Sequence, residues 1–189
     1  MKRPLVAAAA ILSAALLGFD PLRAEMRKGA IELGAYVFRA NFDSDSNIEN
    51  DEGFGARLGI LFTEQHELEF SYDHLSTEDE FFGGDVDLDT FKAGYVYNFL
   101  PDSAVSPFIT VGGGLQRLEF VVEDLLGFED EVDETDPLAF GGGGVRFFIG
   151  NVFNIRADAQ IVAVFPDDDP DDTLIDGLLQ AGVGWIIGG

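Results

Sequence analysis

The chain has 189 residues, with 35 Asp and Glu against 11 Lys and Arg, a formal net charge of −24. So acidic a chain is no obvious nucleic-acid partner, because phosphate contacts need clustered Lys and Arg; with no cysteine it forms no disulfide, thiolate metal site or cysteine nucleophile. Yet 47% of the residues are hydrophobic, which excludes a disordered acidic tail and allows one domain with a core.

Residues 1–24 read as an export signal. Lys2 and Arg3 form a positive start, and Leu5 to Leu17 is an apolar stretch broken only by Ser13. Such a stretch is short for a spanning helix, which needs about 20 apolar residues. Ala24 suits the residue before a cut, and an uncleaved anchor is the alternative. Removing residues 1–24 takes away three bases and one acid, leaving 34 acids and 8 bases in residues 25–189. No later segment has the length and hydropathy of a transmembrane helix.

The rest divides into strand-like stretches at about 29–42, 53–63, 66–76, 87–100, 106–120, 137–150, 151–165 and 174–188, each of 11 residues or more. Soluble strands average about 5–6 residues, whereas a tilted strand needs about 9–11 to cross a bilayer. The connections alternate. Residues 43–52, 77–86, 121–136 and 166–173 are long, while 64–65, 101–105 and Gly150-Asn151 are short. All long loops then fall on one rim, and both termini fall on the short-turn, periplasmic side. The expected fold is all-β: an eight-stranded antiparallel up-and-down transmembrane β-barrel.

Side chains alternate with period two. In 66–76, Leu68, Phe70, Tyr72 and His74 share one face, and Glu67, Glu69, Ser71 and Asp73 the other. In 151–165, Phe153, Ile155, Ala157 and Ala159 oppose Asn154, Arg156, Asp158 and Gln160. Tyr36, Tyr95, Tyr97, Phe99, Phe147, Phe153 and Trp185 are expected to face lipid. In 106–120, Arg117 and Leu118 reverse the parity of the earlier residues, which points to a bulge. The runs Gly112–Gly114 and Gly141–Gly144 lie inside strands, where small positions let a narrow barrel hold long side chains. They are no phosphate loop, which needs a following helix and usually a Lys.

Three stretches, GAIELGAYVFRANF (29–42), PFITVGGGLQRLEF (107–120) and FGGGGVRFFIGNVFNIRADAQIV (140–162), resemble the small eight-stranded outer-membrane barrels, the OmpA transmembrane-domain, OmpX and OmpW-like group. The last strand resembles the family's assembly signal, polar-x-Gly-x-x-aromatic-x-hydrophobic, in Gln180, Gly182, Trp185 and Ile187. The resemblance covers nearly all of residues 25–189. It implies an outer-membrane location, a monomer and, as partners, membrane lipid and lipopolysaccharide, the β-barrel assembly machinery and periplasmic chaperones.

Turning the polar faces inward fills the lumen with Glu32, Arg57, Glu67, Glu69, Asp73, Lys92, Arg146, Arg156, Asp158, Gln160, Asp176 and Gln180. An eight-stranded interior is just wide enough to be filled by side chains, so the expectation is a paired plug, with a narrow gated pore as the alternative. The rim is different. Residues 43–52, 77–87, 121–136 and 166–173 hold 23 of the acids and no Lys or Arg. No cofactor is expected; a solvated, self-repelling rim is one reading, and the other is that its carboxylates collect divalent cations. Asp43, Asp45 and Glu49 imitate the start of a calcium loop, but Ile48 stands where the turn glycine belongs and Phe54 where the closing Glu belongs. Asp167, Asp168, Asp169 and Asp171 form a second dense run.

No residue is expected to be catalytic. The one enzyme alternative is a lipid A-modifying activity, since lipid A deacylases carry a lipid-facing His-x-Ser pair and His74 and Ser76 have that spacing. No acid to orient His74 stands out, and Asp73 points the other way. A soluble barrel holding an apolar ligand is a third class, with its apolar face inside.

Overall fold

The computed structural model describes residues 26–42, 51–78, 85–123, 129–150, 152–166 and 173–189. Among these, eight antiparallel strands follow one another round a closed barrel. They are β1 (Ile31–Asn41), β2 (Glu52–Leu61), β3 (His66–Glu78), β4 (Asp85–Asn98), β5 (Val105–Glu123), β6 (Glu129–Ile149), β7 (Phe153–Val164) and β8 (Leu174–Ile187). Each strand pairs with its neighbour in sequence, and β8 closes on β1. Closure removes every free edge, as a lipid setting demands.

The register fixes the dimensions. The hydrogen-bonded row through Glu52, Arg39, Leu179, Ala159, Gly143, Ile109, Tyr97 and His66 returns to β2 at Phe62, ten residues beyond its start. With a rise of about 3.3 Å per residue and strands about 4.8 Å apart, that stagger tilts the strands by about 40° and sets a radius of about 8 Å. Long inward side chains meet across so narrow a space, which is why many inward positions are glycine.

Strand alternation puts one face on each medium. On β1, Val37 is 62% exposed and Phe38 5%. Ile31, Leu33, Leu58, Phe70, Ile109, Ile161, Leu179 and Trp185 are exposed around the outside. Such a band is unstable in water and suited to hydrocarbon.

Three sequence expectations are corrected. Tyr36 faces the lumen: it is buried, and it shares a face with Glu32, Phe38 and Ala40. It fits because a Cβ on Gly55 would lie 2.4 Å from its Cζ and one on Gly182 2.5 Å from its Cβ. Tyr95, Phe99 and Trp185 are exposed, and Tyr97, Phe147 and Phe153 are half-buried on the outward face.

The bulge at Arg117 is absent. β5 pairs with β4 from Asn98↔Phe108 to Val86↔Phe120, and with β6 from Val105↔Phe147 to Glu123↔Glu129, without a skipped residue. The polarity changes there, not the register. Below Arg117 the outward residues are apolar; at Arg117 and Glu119 the strand has left the apolar band and its outward face is charged. The third correction concerns the loop expected at 121–136. Much of it continues β5 and β6 as a paired hairpin, with Leu115↔Pro137 through Glu123↔Glu129. Acid-rich stretches have low strand propensity, which hid the continuation.

Candidate functional site: the lumen and the outer rim

The lumen is layered. Its middle holds the charges. Arg146 is fully buried between Glu67, whose Oε2 accepts from Nη1 at 2.7 Å, Glu32 at 3.6 Å and Glu69 at 3.8 Å. The same Nη1 donates to Asn98 Oδ1 at 3.0 Å. Arg156 binds Glu69 through Nη1 and donates from Nε to Asp158 Oδ1 at 3.0 Å. Arg57 lies 3.6 Å from Asp158 and stacks 4.0 Å from the Tyr36 ring centroid. Lys92 Nζ meets Asp73 Oδ2 at 2.6 Å and donates to Gln160 Oε1 at 3.2 Å, while the Tyr36 hydroxyl donates to Asp73 Oδ1. Gln160 joins Asp158 at 3.1 Å and Gln180 at 3.4 Å. Asp176 is buried on the same side of the wall. All twelve polar residues assigned to the lumen from the sequence lie there. Asn98 and Phe108 are additions to that set: Asn98 accepts from Arg146, and both Arg146 and Arg156 stack on the Phe108 ring, at 5.2 and 4.1 Å.

Such pairing is required. Desolvating a lone charge costs several kcal/mol, and only near neighbours of opposite sign offset it. The supporting strands bring them together: Glu67 and Glu69 on β3, Arg146 on β6 and Arg156 on β7 are remote in sequence and converge because the barrel is narrow.

Apolar layers lie on either side. At the short-turn end, Met26, Ala30, Leu61, Phe148 and Ile186 form one buried cluster. Residues 26–30 are tied beneath the barrel, with Met26 N–H donating to Pro101 O at 3.4 Å and Gly29 N–H to Leu61 O at 2.8 Å. Toward the long-loop end, Tyr36, Phe38, Ala40, Leu75, Val86 and Leu88 form a second cluster, and Leu138, Phe140, Val162 and Val164 a third. A cavity of about 30 Å³ remains among Phe38, Leu75, Lys92, Asp176 and Leu178. That is room for about one water molecule.

The outward rim carries a polar constellation on β3 and β4. His74 Nδ1 lies 2.9 Å from Asp89 Oδ1, and the Tyr72 hydroxyl donates to the same oxygen at 2.6 Å. Asp89 is the acid that the sequence did not reveal beside His74. It is 15 residues away, and only the register His74↔Asp89 makes them neighbours. The Ser76 hydroxyl donates to Asp87. His66, at the start of β3, contacts the Tyr95 hydroxyl. Gln180 and Gly182 of the assembly-signal pattern face inward, and Trp185 and Ile187 face outward. Asp43, Asp45, Glu49, Asp167, Asp168, Asp169 and Asp171 lie outside the described residues. Among the described residues, no group of three His, Asp or Glu is placed to hold a metal.

Comparison with known proteins agrees with this architecture. The family model described as "Outer membrane protein beta-barrel domain" matches residues 5–186. The outer membrane porin F of Pseudomonas fluorescens is 28% identical over 149 residues, covering 75% of this chain and 43% of that protein's length. Among solved structures, the N-terminal β-barrel domain of Pseudomonas aeruginosa OprF has a TM-score of 0.56 at 15% identity, covering 85% of this chain and 98% of that one. Neisserial surface protein A has 0.58 at 19%, covering 82% and 95%. At these identities the structures share the fold.

Proposed function

The chain belongs to the outer membrane protein beta-barrel domain family, and from that premise we propose that it is a closed, non-enzymatic envelope barrel whose acidic outer rim meets the surroundings of the cell. One observation carries this reading. The paired charges of the mid-lumen are enclosed by apolar clusters toward both ends, and the cavity left beside them holds about one water. The apolar layers among the described residues would bar a hydrated ion from such an interior. Planar-bilayer recording is the test: no steady conductance is expected, and large steady channels would overturn the reading.

The rim would act electrostatically. Carboxylate oxygens suit calcium and magnesium, and bound divalent ions would bridge the acidic segments to lipopolysaccharide phosphates. Asp43, Asp45, Glu49 and the run Asp167, Asp168, Asp169 and Asp171 are the candidates. Calcium titration by calorimetry would give heat together with a rise in unfolding temperature; the absence of both would reject the cation role. On this reading residues 1–24 direct export and residues 25–189 form the inserted domain, with Gln180, Gly182, Trp185 and Ile187 recognised during assembly.

A second reading, a narrow gated pore, is favoured by the relative named as a porin. It requires the Arg146 and Arg156 pairs to exchange partners and the apolar layers to part. Brief openings in the same recordings would select it.

A further inference from the structure

The outer surface of the barrel is not uniform. On β2 to β4 the apolar band toward the long-loop end is aromatic, with Phe54, Phe70, Tyr72 and Phe91. On the opposite side it is almost flat. Gly143 on β6, Ala157 and Ala159 on β7 and Ala181 on β8 are outward-facing and adjacent through the pairs Gly143↔Ala159 and Ala157↔Ala181. Val37 and Leu179 stand beside them and leave a groove of about 540 Å³ open to the membrane.

The groove has a charged head. Arg39, two residues from Val37 on the same strand face and cross-strand from Leu179, lines it together with its register partner Glu52. The barrel stagger orders these residues by depth: each step along the row from Arg39 to Leu179, Ala159 and Gly143 descends by about 3 Å, so Ala181 and Ala157 lie about 8–11 Å deeper than Arg39. Guanidinium at the edge of the band and a smooth trough below it match the order of groups in a membrane lipid, phosphate above and chain beneath.

Charge bookkeeping across the chain makes Arg39 unusual. Arg57, Lys92, Arg146 and Arg156 are buried in the lumen, and Arg27 and Lys28 lie at the short-turn end. Arg117 is the other outward base near the long-loop end, and it pairs with Glu119 at 2.9 Å. Arg39 makes no ion pair among the described residues, although Glu52 is its register partner. A guanidinium with no ion pair among the described residues is complementary to phosphate, which it can bind through two parallel hydrogen bonds.

We propose that this groove binds one phosphorylated lipid of the outer leaflet, its acyl chain lying over Gly143, Ala157, Ala159 and Ala181 and its phosphate held by Arg39. The small side chains let a methylene chain approach the barrel wall, where dispersion contacts accumulate. A trough filled by bulky side chains would offer no such fit.

The test uses the full folded chain in neutral detergent, with native mass spectrometry as readout. The probes are a diphosphorylated, multiply acylated glucosamine disaccharide and its dephosphorylated counterpart. One phosphorylated lipid per barrel is expected to be retained, with the dephosphorylated form held about tenfold less well. Arg39→Gln should lower retention of the phosphorylated probe alone, Ala159→Leu should lower both, and Arg117→Gln should change neither. Folding of each variant is checked by heat-modifiable gel migration, and Ala157→Val replaces Ala159→Leu if that variant misfolds. Equal retention of both probes, wild-type retention in Arg39→Gln, or an equal loss in Arg117→Gln would overturn the proposal. So would a dimer that excludes lipid, because a second copy would then occupy the groove.

Discussion

The middle and outer sections of this barrel are built on the same alternation with opposite polarity. In the middle, the inward side chains are Glu32, Arg57, Glu69, Arg146, Arg156 and Asp158, and the outward ones Leu33, Leu58, Phe70 and Ile155. Toward the long loops the inward side chains become mostly apolar, with Phe38, Leu75, Leu88, Phe140 and Val162, and on β2 to β5 Glu52, His74, Asp89, Arg117 and Glu119 point out, whereas β8 keeps Ile175 outside and Asp176 inside. No register shift separates them. What changes is the solvent. Where lipid lies outside, the barrel turns its apolar face to lipid and must satisfy charge within; where water lies outside, it folds like a soluble barrel with an apolar interior. The level at which the polarity inverts marks the membrane edge.

Four substitutions test this division, all read as changes in the urea unfolding midpoint of protein folded into lipid vesicles. The largest effect belongs to the middle section. Arg156→Leu leaves Glu69 and Asp158 short of their main partner in a buried setting, and a loss of about 3–5 kcal/mol is expected. Unchanged stability would mean that the mid-lumen charges are not mutually dependent. In the outer section, Leu88→Ala removes buried apolar volume from the second cluster, and about 2–3 kcal/mol should be lost. If Leu88→Ala kept wild-type stability, the outer interior would not be a packed apolar layer and the comparison would fail.

Tyr36 sits at the junction. Tyr36→Phe keeps the ring between Gly55 and Gly182 and removes only the bond to Asp73, so a loss of about 1–2 kcal/mol is expected. A loss as large as that of Arg156→Leu would place Tyr36 inside the charged network proper. The smallest effect is outside. Arg117→Ala breaks an exposed pair with Glu119, and the change should stay below about 1 kcal/mol. A larger loss would argue that Arg117 lies in hydrocarbon, and that the polarity inverts further up the strand.

The reading of particular residues shows where sequence suffices. Glu67, Glu69 and Asp73 alternate with Leu68, Phe70 and Tyr72, and the period alone assigns their faces. The same reasoning misplaced Tyr36, because an aromatic residue on a strand of a membrane barrel suits a lipid girdle as well as a lumen. It was the glycines opposite, Gly55 on β2 and Gly182 on β8, that opened space for the ring inside. Those two positions lie far apart in the chain and on either side of Tyr36 in the sheet. Arg117 and Leu118 were legible as a change of polarity and illegible as to its cause. A bulge and a membrane edge produce the same reversal in one strand; only the unbroken pairing on both sides of β5 separates them.

Partners across strands follow the same logic. Asp89 next to His74, Phe108 beneath Arg146 and Arg156, and the groove beside Arg39 all depend on register and stagger. The sequence by itself determined the barrel, its strand number and the two faces of most strands, because period two, strand length and loop alternation are local properties of the chain. Tertiary structure decided which charges meet, where the apolar layers close the lumen and at what height the polarity inverts. Those depend on a ten-residue stagger accumulated around eight strands, a quantity that no single segment carries.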